Sequence, residues 1–329
     1  MSGHRKERRR ASRQSFRPTV DGRLEPRLLL SHGTIQAAAA HAHNFHVSPT
    51  PPIRSIQVAN GGRALLITTG TGQQFEVTVS SAQQSAQTAT NLQGTIPQLS
   101  AGTVRGHALP GGRVALTVDG TTDDSIVAIN PVVNTAAKNR AHQFSLKLDA
   151  QTGLLNVASI NVTSGQVSEI DGYRSADLSG PVTVGNATFV NRIAFADLLP
   201  GASIGVGGNL GSLDILNNAF LSGGPGIKTA GDLDWFSIGQ NLILTNGSSL
   251  IVGRDIGAIA QGQKGTAPFG QGGQVVGDVL IGPGSSWQVV RALGAPINLL
   301  GNFFGFSRFT VGTPTGNGFQ TKPGAILVP

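Results

Sequence analysis

Apolar and polar residues alternate along the chain from residue 53 onward. In one stretch Phe75, Val77 and Val79 are separated by polar residues, and Gly- and Asn-rich runs such as 60–62 interrupt the alternation. Alternation with period two predicts β-strands that bury one face, and the Gly- and Asn-rich runs predict the turns between them. We therefore expect residues 53–160 to be β-rich, either as a separate domain or as the irregular start of a repeat that follows.

A longer period appears in the second half of the chain. A Gly-Asx or Arg-Asx pair followed by an apolar or small residue recurs there, with the Asx residues at Asn186, Asn209, Asp232, Asp255, Asp278 and Asn302. The intervals between these residues are 23, 23, 23, 23 and 24. A fixed period of this length indicates a solenoid, in which each unit buries its apolar face against its neighbours.

Apolar columns accompany the repeat and indicate its type. They are Val190, Leu213 and Phe236 in one column, and Ile204, Ile227 and Leu250 in another. Each unit contains glycines and prolines that argue against helical repeats, and the L-x-x-L-x-L spacing of leucine-rich repeats is absent. We predict an all-β chain with a parallel β-helix over 161–329, about 23 residues per coil, and an aromatic cap from the phenylalanines of 303–309.

The recurring Asx residues are predicted to be structural. Asn and Asp favour turns, and identical positions in stacked coils form a ladder. Asp232, Asp255 and Asp278 would repel one another in successive rungs unless each carboxylate accepts a backbone N–H bond, faces water or binds a cation. We expect the turn role and keep a calcium ion at these three aspartates as the alternative.

The positive charge is concentrated at the start of the chain. Residues 1–27 contain nine Lys and Arg against three acidic residues, which is +6 of the net +7. The remaining body is close to neutral, which argues against a specific nucleic-acid groove across it. We predict a disordered basic targeting arm over 1–42 and a Pro-rich linker over 43–52.

A short motif lies within this arm. It comprises Leu24, Glu25, Pro26, Arg27, Leu28, Leu29 and Leu30. The run resembles the LEPR-XLL domain, an N-terminal segment of exported or surface-associated bacterial proteins of varied architecture. The resemblance implies a destination rather than an activity: passage through the export machinery to the cell surface or the extracellular space. No stretch approaches the roughly 18–20 apolar residues of a membrane-spanning helix, so none is predicted.

The sequence contains little that indicates catalysis. The chain has no cysteine, and the run 201–205 matches G-x-S-x-G but no histidine follows Ser203. His41, His43 and His46 could ligate a metal, but the neighbouring prolines favour a linker. No catalytic residue is predicted.

One group of residues could support an enzyme by analogy alone. Parallel β-helices often host polysaccharide lyases and hydrolases, which use carboxylates together with an Arg or Lys. Asp232, Asp234, Arg254 and Asp255 are close enough in the repeat to form such a group. This is an argument from the fold and not from a motif.

We therefore expect a non-enzymatic, exported or cell-surface structural or adhesive protein. Its partner would be a cell-wall or matrix polymer or a surface protein. Two alternatives remain: a polysaccharide-acting β-helix enzyme, and a nucleic-acid-associated protein that binds through the basic arm.

Overall fold

In the computed structural model, the regular secondary structure of the described residues is almost entirely β-strand. The structure describes residues 50–81, 102–132, 153–185, 187–257, 272–313 and 318–329. All of these belong to one compact unit, Asn44–Pro329. A second unit, Met1–His43, lies outside the described residues, and so do the predicted basic arm, the LEPR-XLL-like motif and residues 43–49 of the predicted linker.

The strands form three sheets, which we name A, B and C. Sheet A contains β1 (Ile53–Ala59), β2 (Ala64–Thr69), β3 (Gln74–Ser81), β6 (Ser125–Pro131), β8 (Glu169–Gly172), β11 (Phe189–Phe195), β13 (Asn209–Ile215), β16 (Leu233–Ile238), β19 (Gly273–Val275), β22 (Ile297–Leu299) and β25 (Phe319–Thr321). Sheet B contains β4 (Thr103–Leu109), β5 (Arg113–Asp119), β7 (Leu155–Val162), β9 (Ala176–Leu178), β10 (Pro181–Val184), β12 (Ser203–Val206), β15 (Ile227–Thr229), β18 (Ser249–Val252), β21 (Ser286–Ala292) and β24 (Phe309–Thr313). Sheet C contains β14 (Ala219–Ser222), β17 (Leu242–Thr245), β20 (Val279–Ile281), β23 (Phe303–Phe304) and β26 (Leu327–Val328). Short 3-10 helices occur at Asn60–Gly62 and Phe306–Arg308.

The second half of the chain is a parallel β-solenoid, which confirms the predicted fold class. Successive coils place a strand in sheet A, then in sheet C, then in sheet B, and equivalent strands of neighbouring coils pair in parallel. For example, Leu210 of one coil is in register with Leu233 of the next. Each coil therefore buries its apolar side chains against the coils on either side.

The first part of the chain continues these sheets with antiparallel strands. Strands β1, β2, β3 and β6 pair antiparallel in sheet A, and β4 pairs antiparallel with β5 in sheet B. Parallel pairing begins where β6 meets β8 and β5 meets β7. The described strands of residues 53–160 therefore extend sheets A and B of the solenoid.

The apolar columns follow the pairing registers, with one error in our prediction. Ile204, Ile227 and Leu250 lie in register, as predicted. Val190 pairs with Leu210 and not with Leu213, because the coil between them is shorter than the coils that follow it. Because of this shorter coil, the strand that contains Leu210 and Leu213 is displaced relative to Val190 from the register that a constant period predicts.

Aromatic residues pack together in the last coils. Trp287 is fully buried and contacts the rings of Phe236, Phe303, Phe309 and Phe319, with centroids 5.2–6.2 Å apart. Phe306 also packs on Phe303, 5.3 Å away. The predicted aromatic cluster therefore exists, and it is organised around a tryptophan that the repeat pattern did not indicate.

Candidate functional site

Three of the repeated Asx residues form a column at the corner between sheets B and A. The N–H of Asp232 donates to Asn209 Oδ1 (2.9 Å), and the N–H of Asp255 donates to Asp232 Oδ1 (3.1 Å). Asp255 Oδ1 accepts in turn from the N–H of Ala292 (2.8 Å). Each side chain thus bonds the corner backbone of the next coil, which is a structural role.

Arginines neutralise the two aspartates of this column. Asp232 Oδ2 lies 3.6 Å from Arg254 Nη1, and Asp255 Oδ2 lies 3.5 Å from Arg291 Nη1. Both aspartates are buried, at 3 % and 8 % exposure. Each arginine immediately precedes the next rung of the column, so one coil supplies both the N–H and the guanidinium that satisfy the carboxylate of the coil before it.

Asp278 and Asn302 do not belong to this column, and the prediction of one continuous ladder is wrong in this respect. They lie at the corner between sheets A and C, stacked on Asn218 and Asn241. The N–H of Asp278 donates to Asn241 Oδ1 (2.9 Å), and the N–H of Asn302 donates to Asp278 Oδ1 (2.8 Å). A three-rung aspartate site for calcium at Asp232, Asp255 and Asp278 is therefore not assembled.

A long coil explains why the spacing was misleading. Asn241 and Asp278 are 37 residues apart in the sequence, whereas Asn218 and Asn241 are 23 residues apart. The segment 258–271 accounts for the difference in length. The two corners of one coil are separated by a short stretch, as from Asp232 to Asn241. The short stretch between the two corners and the excess of the long coil together have the length of one ordinary coil. Asp278 therefore follows Asp255 at the usual spacing of 23, although Asp255 lies at the B–A corner and Asp278 at the A–C corner.

The first predicted rung is not tested by the described residues. Asn186 is outside the described residues, and the residue in register with Asn209 in the preceding coil is Phe189. The column at the B–A corner therefore begins at Asn209 in the described part of the chain.

The column at the A–C corner is longer and extends toward the N-terminus. The N–H of Asn218 donates to Asp197 Oδ1 (2.9 Å), the N–H of Asp197 bonds the Asp177 carboxylate, and Asp177 is in register with Asn156. The full series is Asn156, Asp177, Asp197, Asn218, Asn241, Asp278 and Asn302. The last four intervals of this series are 21, 23, 37 and 24, so no constant period could reveal it.

Asp177 is the least satisfied member of the A–C column. Its Oδ1 atom is buried and has no hydrogen-bond partner among the described residues. Burial, and secondarily the charge of Asp197, raises the pKa of Asp177 to about 7. Asp197, in contrast, accepts from the side-chain amide of Asn217 (2.9 Å) as well as from Asn218.

Asp234 is the unusual member of the group proposed for an enzyme. It is only 4 % exposed, and it makes no hydrogen bond or ion pair with any residue that the structure describes. Burial, and secondarily the charge of Asp232, raises the pKa of Asp234 to about 6. Asp232, Asp255 and Arg254 are instead engaged in the contacts between coils. Over the described ranges, no three or more His, Cys, Asp or Glu residues cluster in a way that could hold a metal ion.

Sequence reasoning missed an ion-pair network on the outer face of sheet A. Arg192 contacts Glu169 (2.9 Å), Asp171 (3.4 Å) and Asp214 (2.7 Å), and its guanidinium lies 5.4 Å from the ring centre of Tyr173. Three coils contribute these residues, which are far apart in the sequence. Only the pairing register places them together.

A row of polar residues continues along the same face. Asp214, Ser237, Gln274, Asn298 and Gln320 lie in register on successive strands of sheet A. Trp235 lies two positions before Ser237 on the same strand and is partly exposed. We name these six residues the sheet A face.

The remaining sequence candidates show no assembled chemistry. Ser203 of the G-x-S-x-G run is the first residue of β12 and is buried at 8 % exposure. His41, His43 and His46 are outside the described residues, as is the LEPR-XLL-like motif.

Comparison with known proteins places this chain in no group. No family model, no curated protein and no solved structure matches it. The described residues include no helix long and apolar enough to cross a membrane.

Proposed function

We propose that this is a non-enzymatic structural or adhesive protein, exported to the cell surface or the extracellular space. There its solenoid would contact a cell-wall or matrix polymer or a surface protein. The observation that carries the proposal is the use of the repeated carboxylates: they bond the backbone of the next coil and do not face a common cleft.

The positions of the repeated carboxylates favour a non-enzymatic protein over a glycoside hydrolase. Glycoside hydrolysis requires two carboxylates on opposite sides of the scissile bond. Asp232 and Asp255 each have one oxygen bonded to a backbone N–H and the other paired with an arginine. Neither oxygen of these residues is available to a substrate.

Export is supported only by the resemblance of residues 24–30 to the LEPR-XLL domain. Fractionation of the producing cells, with detection by an antibody against the solenoid, tests it. The full chain is expected in the surface or extracellular fraction, and a variant without residues 1–42 is expected in the cytosol. A full chain that stays in the cytosol would contradict the proposal.

A polysaccharide-acting enzyme is the second candidate, and Asp234 is the observation that favours it. A buried carboxyl with a pKa of about 6, beside the paired carboxylate of Asp232, has the protonation behaviour of a general acid. If the protein is non-enzymatic, as we propose, incubation with neutral and acidic polysaccharides should release no new reducing ends and no unsaturated products. Turnover that is abolished in D234N would establish the enzyme and reject the non-enzymatic proposal.

Nucleic-acid association through the arm is a third candidate, which rests on the +6 charge of residues 1–27. Charge-driven binding weakens steeply with salt. If the full chain retains DNA only at low salt, and a variant without residues 1–27 does not retain it, the binding reflects only the charge of the arm. Binding that survives at physiological salt would support this candidate.

A further inference from the structure

The sheet A face combines one aromatic ring with a row of uncharged hydrogen-bonding side chains. We propose that Trp235 and this row bind a neutral polysaccharide that runs along the solenoid axis. The inference deepens the proposed function, since it names the polymer class and the surface that contacts it.

Trp235 differs from the other tryptophan of the chain. Trp287 is fully buried among four aromatic rings, whereas Trp235 is partly exposed and lies outside the apolar core. Trp235 makes no ring contact with any residue in the described ranges. An indole that is partly exposed on a polar face offers a flat apolar surface, and the C–H face of a pyranose ring is a matching partner.

The polar row supplies hydrogen-bonding groups at the spacing of the coils. Ser237, Gln274, Asn298 and Gln320 contribute a hydroxyl and three amides, one from each successive coil. Neighbouring strands of a sheet are about 4.8 Å apart, so the row repeats at that distance. Hydroxyls and amides both donate and accept, as a chain of sugar hydroxyls requires.

The charges near the row select against acidic polymers. Asp214 is at one end of the row, Asp234 is next to Trp235, and the row itself contains no Lys or Arg. Arg192 is fully occupied by three carboxylates. Three carboxylates surround this one guanidinium, so this end of the face has net negative charge, which disfavours a polyanion and does not affect a neutral glycan.

The side chains at one end of the face are held before any ligand arrives. Gln274 Nε2 donates to Ser237 Oγ (3.2 Å), and Asp214 is bonded to Arg192 and to Ser212 Oγ (3.3 Å). The strands beneath are fixed by the coils on either side. Preorganisation lowers the conformational entropy lost on binding.

Affinity electrophoresis of the purified full chain tests the inference. The neutral probes are a mixed-linkage β-glucan, a soluble α-glucan, a galactomannan and a soluble chitin oligomer, and polygalacturonate is the acidic probe. At physiological salt, where the charge of residues 1–27 is screened, we expect retardation by at least one neutral probe and none by polygalacturonate. Retardation by polygalacturonate alone, or by no neutral probe, would overturn the inference.

Variants locate the site. W235A should weaken binding about tenfold, the effect of losing an aromatic contact of roughly 1.4 kcal/mol. Q274A/N298A should weaken it without involving the ring. V290A, an exposed apolar residue on sheet B, is the matched control and should bind as the wild type does. Wild-type affinity in W235A and Q274A/N298A would place the site elsewhere.

One further variant, and comparison with the fractionation experiment, separate failure of this inference from failure of the export proposal. W235F retains an aromatic ring and should keep most of the affinity, so it decides the case if W235A does not fold. Failure to bind neutral glycans by a protein that fractionates to the surface rejects this inference alone. A cytosolic protein that binds them rejects the export proposal alone.

Discussion

At the scale of single residues, the Asx side chain is central because it is short and carries an acceptor oxygen. In both corner columns its Oδ1 atom reaches the backbone N–H of the next coil, as between Asn241 and Asp278. Asn and Asp perform this task equally well, but only Asp carries charge. A buried aspartate rung therefore needs a cation, a proton or additional N–H donors to compensate its charge, as Arg254 does for Asp232 and the side-chain amide of Asn217 does for Asp197.

Asp177 lacks such a cation among the described residues, and this makes its rung sensitive to pH. Its pKa is raised from 3.8 to about 7 by burial and then by Asp197, so the folded chain holds a proton that the unfolded chain releases. The stabilisation is complete below about pH 4 and is lost as the pH rises to about 7. At about pH 8 the buried charge destabilises the fold.

The substitution D177N should remove this dependence. Asn occupies the equivalent rung at residues 156 and 218, so the ladder bond to Asp197 can be kept. We expect the Tm of D177N to exceed that of the wild type by at least about 2–4 °C at about pH 8, because about 1 kcal/mol shifts Tm by that amount and a pKa raised from 3.8 to about 7 corresponds to on the order of 4 kcal/mol. Below about pH 4 the two should agree.

Thermal unfolding followed by circular dichroism across this pH range provides the measurement. D124N is the matched control, because Asp124 is exposed on a loop and its substitution should leave the profile unchanged. A D177N profile parallel to that of the wild type would show that Asp177 is not the titrating group.

At the scale of elements, each corner joins two sheets through bonds that cross from coil to coil. Asn241 shows this most fully: its N–H and side-chain amide both donate to Asn218 Oδ1, and its own Oδ1 accepts from Asp278. Strands β14, β17 and β20 of sheet C begin directly after these residues. The column therefore sets where sheet C starts in each coil.

Loss of one rung should weaken the fold measurably. N241A leaves the N–H of Asp278 without its acceptor, and an unsatisfied group of this kind costs about 1–2 kcal/mol. We expect the Tm to fall by roughly 2–8 °C in thermal unfolding. N130A, an exposed asparagine on β6, should unfold as the wild type does. An unchanged Tm in N241A would mean that the column follows the coil geometry without stabilising it.

At the scale of the whole molecule, periodicity predicted the architecture but not the registers. Alternation and a constant repeat were enough to indicate a parallel solenoid, because each coil must bury the same apolar positions. The insertion 258–271 was invisible, since its length and the stretch between the two corners add up to one ordinary coil. The sheet A face and the Arg192 network depend on the register and could not be read from local motifs.

The central claim is that the repeated Asx residues form two scaffolding columns and not one site. It can be tested by disulfide trapping, because the chain has no cysteine of its own. In N241C/D278C the two residues lie at the starts of adjacent strands, about 4.8 Å apart, within the range that a disulfide spans. In D255C/D278C they are at different corners, on the order of 20 Å apart.

Mild oxidation of both variants, followed by mass spectrometry of the tryptic peptides, is the most direct measurement. We predict an intramolecular disulfide in N241C/D278C and none in D255C/D278C. A disulfide between residues 255 and 278, with none between 241 and 278, would restore the single ladder and contradict the account.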